Sequence, residues 1–100
     1  MAVTYSWETT VLGSAGGPRR ALDLIDRDRF LIVNGDTLAD VDLRAMATQH
    51  LETNALVTMA VVDGRPNYNG VLADANGIVR GFGREPGAFH FIGIQIVNAA

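Results

Sequence analysis

Asn34-Gly35-Asp36 is the first stretch of the chain with both the charge and the setting for chemistry, because it directly follows the unbroken apolar run Phe30-Leu31-Ile32-Val33. Such a run reads as a strand covered on both faces, and a carboxylate at its end lies at the carboxyl edge of the sheet, where open α/β folds take their ligands. Gly35 frees the turn and Asp36 puts a charge into the crevice. On the tripeptide alone, a turn residue or helix cap is the favoured reading of Asp36. A second candidate is the loop Gly13-Ser14-Ala15-Gly16-Gly17, whose small side chains leave backbone N–H groups and a helix start open to a phosphate, a ribose or a base edge. It has no lysine, so it is not a Walker loop, and it does not match G-x-G-x-x-G. A flexible connection before a proline-started helix accounts for it equally well. Together the two stretches suggest a nucleotide held with Mg²⁺ bridging Asp36 and phosphate oxygens, since Mg²⁺ takes one or two protein carboxylates and completes its octahedron with phosphate and water.

The elements that would position these residues follow from patterning. Val3 to Trp7 is rich in β-branched and aromatic residues and predicts a short strand leading into the small-residue loop. Pro18 suits a first helical turn, so a helix is expected from about Pro18 to Ile25 with Ala21, Leu22 and Ile25 inward. After the apolar strand, Asp42 is a good N-cap, and Leu43, Met46, Ala47, His50 and Leu51 share one face of a helix ending near Thr53-Asn54. Ala55 to Val62 is a further apolar strand, placed parallel beside the first. Strand, helix, strand, helix, strand is the order of a doubly wound sheet with right-handed crossovers. The last third differs. Gly70 to Asp74 and Ile78 to Phe82 flank Asn76-Gly77 as a hairpin, and Phe89 to Val97 is a final strand. Its alternation puts His90, Ile92, Ile94 and Ile96 on a core face and Phe89, Phe91, Gly93, Gln95 and Val97 on the other. A glycine in mid-strand marks a close approach or a bulge.

Composition limits the function classes. At 100 residues, 48% apolar and 19% charged, the chain is one globular domain, residues 1–100, with no internal repeat or linker. No apolar run is long enough for a membrane span, and the N-terminus lacks a signal-peptide pattern, so a cytoplasmic location is expected. A net charge of −3 opposes nucleic-acid binding through backbone electrostatics. Without cysteine there is no thiolate nucleophile or thiolate metal site. His50 and His90 have no partner at metal-ligand spacing and read as packed residues, while Asp40 and Asp42 read as a helix start.

Trp7-Glu8, Leu12 to Gly17, Val33 to Asp36, Tyr68-Asn69-Gly70-Val71, Asn76 to Val79 and Gly93-Ile94-Gln95-Ile96 occur in an order and spacing that resemble the central part of the sugar-1-phosphate nucleotidyltransferases, especially the mannose-1-phosphate guanylyltransferase branch. The resemblance runs from about Thr4 to the end. It implies an incomplete Rossmann-like nucleotidyltransferase domain of α/β class, with a mixed, mostly parallel sheet, crossover helices and a hairpin. It further implies that Gly13, Ser14, Ala15 and Gly16 contact the base and ribose, that Asp36 is the catalytic carboxylate and ligates Mg²⁺, and that Gly70 and Gly93 sit against the sugar. The partners implied are a nucleoside triphosphate and a sugar-1-phosphate. Two departures bear on activity. The family's opening glycine-rich signature with its arginine and lysine is not in this chain, nor is its second metal-binding aspartate, which would lie beyond Ala100. Arg84-Glu85-Pro86 stands where many members have Glu-Lys-Pro. The chain alone is therefore expected not to turn over, and to self-associate or dock onto another chain. The alternative is a non-catalytic nucleotide- or sugar-binding, or oligomer-forming, domain derived from the same fold.

Overall fold

The computed structural model describes residues 2–64 and 69–99. Tyr68, one of the motif residues, lies outside them. Helix α1 (Gly13–Ile25) precedes strand β1 (Arg29–Val33), helix α2 (Leu43–Thr53) precedes β2 (Val57–Asp63), and β3 (Gly70–Ala73), β4 (Val79–Gly83) and β5 (Phe89–Asn98) complete the chain.

The sheet departs from the doubly wound expectation. Every strand pairing among the described residues is antiparallel. The final strand β5 lies between β1 and β2: Leu31 stands opposite Ile96 on one side and Thr58 opposite the same Ile96 on the other. Both β1 and β2 therefore run against β5 and in the same direction as each other, but they are not neighbours. The mostly parallel sheet is thus corrected to an α/β fold with an antiparallel sheet. Sequence patterning sees apolar strands; it does not see which strand inserts between two others, nor that Leu31 and Val33 leave one face of β1 exposed.

Two other expectations fail locally. Val3 to Trp7 forms no strand, and Tyr5 and Trp7 are exposed. The small-residue stretch is not a loop but the first turn of α1, which puts Pro18 inside the helix instead of at its start. The physical reason is Glu8. Its Oε2 accepts the N–H of Leu12 at 3.1 Å, satisfying a donor at the helix start and placing a negative charge at the positive end of the dipole. A side chain on Gly17 would come within 2.6 Å of Glu8 Oε1, and one on Gly16 within 2.8 Å of Leu12 Cβ. These two glycines let residues 8–12 fold back on the helix.

Helix α2 forms as its sequence predicts. Asp42 caps it by accepting the Ala45 N–H at 3.0 Å, and Asn54 ends it in the left-handed conformation. Met46 and His50 are its buried positions, and Met46 packs with Ile94 and Ile96 of β5, flanked by Val41 and Ala60. Leu43 and Leu51 remain exposed on the adjoining flank. His50 is 2% exposed and ties three elements together. Its Nδ1 lies 2.7 Å from Thr58 Oγ1 of β2 and its Nε2 2.9 Å from Asn98 Oδ1 of β5.

The hairpin of β3 and β4 turns through Asp74 to Ile78, with Gly77 at positive φ. Asp74 organises it: Oδ1 accepts the N–H groups of Asn76 and Ile78, and Oδ2 pairs with Arg80 at 2.9 Å. The Ile78 N–H, foremost, and then Arg80 and the Asn76 N–H hold its carboxyl below the ordinary 3.8, against some desolvation. A depressed folded pKa contributes stability above the unfolded value and loses it as pH falls through the folded one. The Ile78 amide is therefore expected to titrate with a midpoint below 3.8 in ¹H–¹⁵N spectra, and to lose that titration in Asp74→Asn.

Much apolar surface stays uncovered. The chain exposes 8092 Å² at a mass of 10.7 kDa, against about 5,500 Å² for a compact monomer of that size. Leu31 at 41% and Val33 at 54% are exposed on β1, which pairs only with β5 and leaves its other edge open among the described residues.

Candidate functional site

At the end of β1 the ladder with β5 continues one residue beyond the strand. The Asn34 N–H donates to the Gly93 carbonyl at 2.8 Å, one step past the Val33–Ile94 pair. The turn then closes with the Thr37 N–H reaching the Asn34 carbonyl at 3.4 Å. Asp36 lies on this turn with its side chain exposed, and its Oδ1 is 3.5 Å from the Thr37 hydroxyl. A Cβ on Gly35 would meet nothing within 4 Å, so the turn is open above.

Gly93 is buried beneath that turn at φ +85°. Asn34 Nδ2 and Thr37 Oγ1 both lie 2.9 Å from where its Cβ would be. Pairing with β2 is irregular at the same place: Met59 stands opposite Gln95 and Val61 opposite Phe91, so that Ile92 to Ile94 face Ala60 alone. The sequence left a close approach or a bulge open at this glycine, and both occur. The approaching group is the protein's own turn. Thr37, which sequence reasoning passed over, belongs to the site through these contacts; its only local signal is its place directly after the aspartate.

Gly70 lies toward the other end of β5, since its neighbour Val71 pairs with Phe89. A side chain there would meet Ala88 Cβ at 2.7 Å and the Phe89 carbonyl at 2.8 Å, so tight packing of β3 against residues 88–89 requires glycine. Gly13, Ser14 and Ala15 are exposed at the start of α1, and a Cβ on Gly13 would meet nothing within 4 Å. Leu12 at the N-cap has no side chain able to accept the first-turn N–H groups, which leaves them directed out of the helix start. Gly16 is half-buried against Leu12. The structure thus seats the turn that carries Asp36 on Gly93, through Asn34 and Thr37. At Gly13 and Gly35 it leaves open space, and the neighbour crowding Gly16 is Leu12, so these glycines make no bridge between the helix start and the Asp36 turn.

Among the described residues no three or more His, Cys, Asp or Glu side chains converge as a metal cage. A lone exposed carboxylate at a strand end fits Mg²⁺ held by one protein ligand plus phosphate and water; it does not fit a zinc-type site. Arg84, next to Glu85, donates from Nε to Asn69 Oδ1 at 3.1 Å, and both Arg84 and Glu85 are exposed. No helix among the described residues is long and apolar enough to cross a membrane.

An exposed aspartate on an open turn at a strand end stands where open α/β folds take their ligands, and comparison with known proteins gives the chain its family. Residues 1–89 match the nucleotidyl transferase family model, and the chain belongs to that family. Over 61 residues it is 36% identical to D-glycero-alpha-D-manno-heptose 1-phosphate guanylyltransferase of Aneurinibacillus thermoaerophilus, a match covering 61% of this chain and 26% of that protein. Its fold matches HddC from Yersinia pseudotuberculosis complexed with GMP-PN, with a TM-score of 0.76 and 22% identity over 91% of this chain and 42% of that one. A second HddC structure from the same organism gives the same TM-score of 0.76 at 21% identity. The chain thus spans less than half the length of these relatives. The resemblance read from the motifs is borne out at the level of the sugar-1-phosphate nucleotidyltransferase family.

Proposed function

We propose that the chain is the central part of a sugar-1-phosphate nucleotidyltransferase, in which a sugar-1-phosphate oxygen attacks the α-phosphorus of a nucleoside triphosphate and expels pyrophosphate. The observation that carries this reading is Asp36, exposed on an open turn at the end of β1 in a member of the nucleotidyl transferase family. The phosphate nucleophile is already anionic near neutral pH, its second pKa being about 6, so no general base is needed. Catalysis then consists of aligning two anions and neutralising them. Mg²⁺ held by Asp36 would supply part of that neutralisation. The open N–H groups of Gly13, Ser14 and Ala15, with Gly16 behind them, would take the base and ribose at a helix start. The sugar would lie against Gly70 and Gly93. Because both glycines are also required by packing, substituting them tests folding as much as sugar binding. The relative named as a heptose 1-phosphate guanylyltransferase favours a guanine nucleotide and a sugar of that class.

The chain, one domain by this reading and cytoplasmic like others that use soluble phosphorylated sugars, would need the rest of the fold to turn over. The open edge of β1 and the exposed Leu31 and Val33 are where another polypeptide segment or a second copy would dock. Sedimentation of the isolated chain is expected to show mass rising with concentration into the high micromolar range. A monomer throughout would contradict docking at this edge.

The assay for the function is pyrophosphate release from each nucleoside triphosphate with Mg²⁺ and sugar-1-phosphates. Turnover lost in Asp36→Asn supports the transferase reading. Nucleotide binding without turnover, in the isolated chain, is the expected result for a part of the enzyme and equally for a non-catalytic binding domain; adding the missing portion of the fold separates them, since only the former gains turnover. Neither binding nor turnover under both conditions contradicts both readings.

A further inference from the structure

The irregularity in β5 and the Asp36 turn coincide, and that coincidence has a physical use. Gly93 occupies φ +85°, a conformation side chains rarely adopt, and the space its Cβ would fill is held by Asn34 and Thr37. Its carbonyl meanwhile accepts the Asn34 N–H at 2.8 Å. The turn is therefore fixed from below by one backbone bond and by two side chains pressed onto a bare Cα. Thr37, one of the two, also reaches Asp36 Oδ1 at 3.5 Å. An extra stretch of strand that bends the backbone is a device for aiming a neighbouring group.

We propose that Gly93 is a positioning residue: the bulge Ile92 to Ile94 is a seat that locks the Asn34–Thr37 turn and so fixes the direction of the Asp36 carboxylate toward a divalent cation. The cation rests on the reading of Asp36 given above; the seat itself does not. Adding a methyl at residue 93 lifts Asn34 and Thr37 off the strand, loosens the Asn34 bond and lets Asp36 swing. The groups that orient a metal ligand are typically worth 10- to 100-fold in affinity, so a loss of about tenfold is expected for Gly93→Ala.

The test uses the ¹⁵N-labelled chain and two readouts, amide hydrogen exchange at Asn34 and paramagnetic broadening by Mn²⁺ around Asp36. Gly93→Ala is expected to speed Asn34 exchange and weaken Mn²⁺ at Asp36 about tenfold. In a Thr37→Ala background, where one of the two crowding side chains is cut back, the further effect of Gly93→Ala should shrink. Unchanged exchange and unchanged Mn²⁺ affinity in Gly93→Ala overturn the seat, and so does an effect of equal size in both backgrounds. If the unaltered chain shows no Mn²⁺ effect at Asp36, the metal reading fails while Asn34 exchange still decides the seat. Should Gly93→Ala not fold, Thr37→Ala alone decides: faster Asn34 exchange with an unchanged melting temperature supports the seat, and unchanged exchange overturns it.

Discussion

His50→Ala is expected to lower the chain's urea midpoint far more than any surface substitution does. The orientation of the network follows from its far end. Asn98 Nδ2 donates to the Ala55 carbonyl, which can only accept, so Asn98 Oδ1 is the atom facing His50. Nε2 of the imidazole must then carry the hydrogen and donate to Asn98 Oδ1, while Nδ1 bonds the Thr58 hydroxyl. Alanine would remove both bonds and leave two polar groups facing a void in a site that is 2% exposed. Thr58 and Asn98 are half-buried, so each orphaned group costs about 1 kcal/mol, the lower end for such groups, and the lost packing of the buried ring brings the total to about 3–5 kcal/mol. Domains of this size have about 5–10 kcal/mol to lose, and this one has a small core. Met46, Val71, Ile94 and Ile96 are the buried hydrophobics among its described residues. Urea denaturation followed by circular dichroism checks the prediction; a midpoint within experimental error of the parent would show that the helix is held by other contacts.

The second large effect concerns the site. Asp36→Asn is expected to abolish selective Mn²⁺ broadening of residues 34–37 while leaving the melting temperature within about 1 °C, because Asp36 is exposed and its one side-chain hydrogen bond among the described residues is a 3.5 Å approach from the Thr37 hydroxyl. Asparagine keeps the shape and removes the charge. In one-carboxylate coordination that charge is the protein's whole contribution to holding the cation. In a polypeptide that carries a whole fold of this family and turns over, the same substitution should lower turnover by at least about 10²-fold, the range seen when one electrostatic stabiliser of a transition state is lost. A drop in stability with metal binding intact would make Asp36 a turn residue and nothing more.

What the sequence revealed and what it hid divide along the range of the forces involved. The capped helix from Asp42 to Asn54, the hairpin around Asn76-Gly77 and the apolar strands at Phe30 and Val57 were legible because capping, turn chemistry and an unbroken apolar run act within a few residues, although the expected cover on both faces is not met at β1, where Leu31 and Val33 are exposed. The insertion of β5 between β1 and β2 was not legible, because an antiparallel partner supplied some 60 residues later leaves no local mark. The start of α1 was missed for a subtler reason. Pro18 is a good signal for a first turn, but the Glu8 carboxylate supplied the helix with an earlier beginning. At the site, Asp36 could be singled out by its place after an apolar strand. Thr37 and the seat at Gly93 depended on the register between β1 and β5, which becomes visible only when the strands are paired.

By the proposed function, one nucleotide with its cation engages both the turn at Asp36 and the start of α1. Titrating the ¹⁵N-labelled chain with Mn²⁺–GTP is then expected to broaden Asn34 to Thr37 and to shift Gly13 to Gly16, both saturating at the same concentration, with loss of the first set in Asp36→Asn. Perturbation confined to one of the two segments, or spread evenly over surface carboxylates, would contradict it.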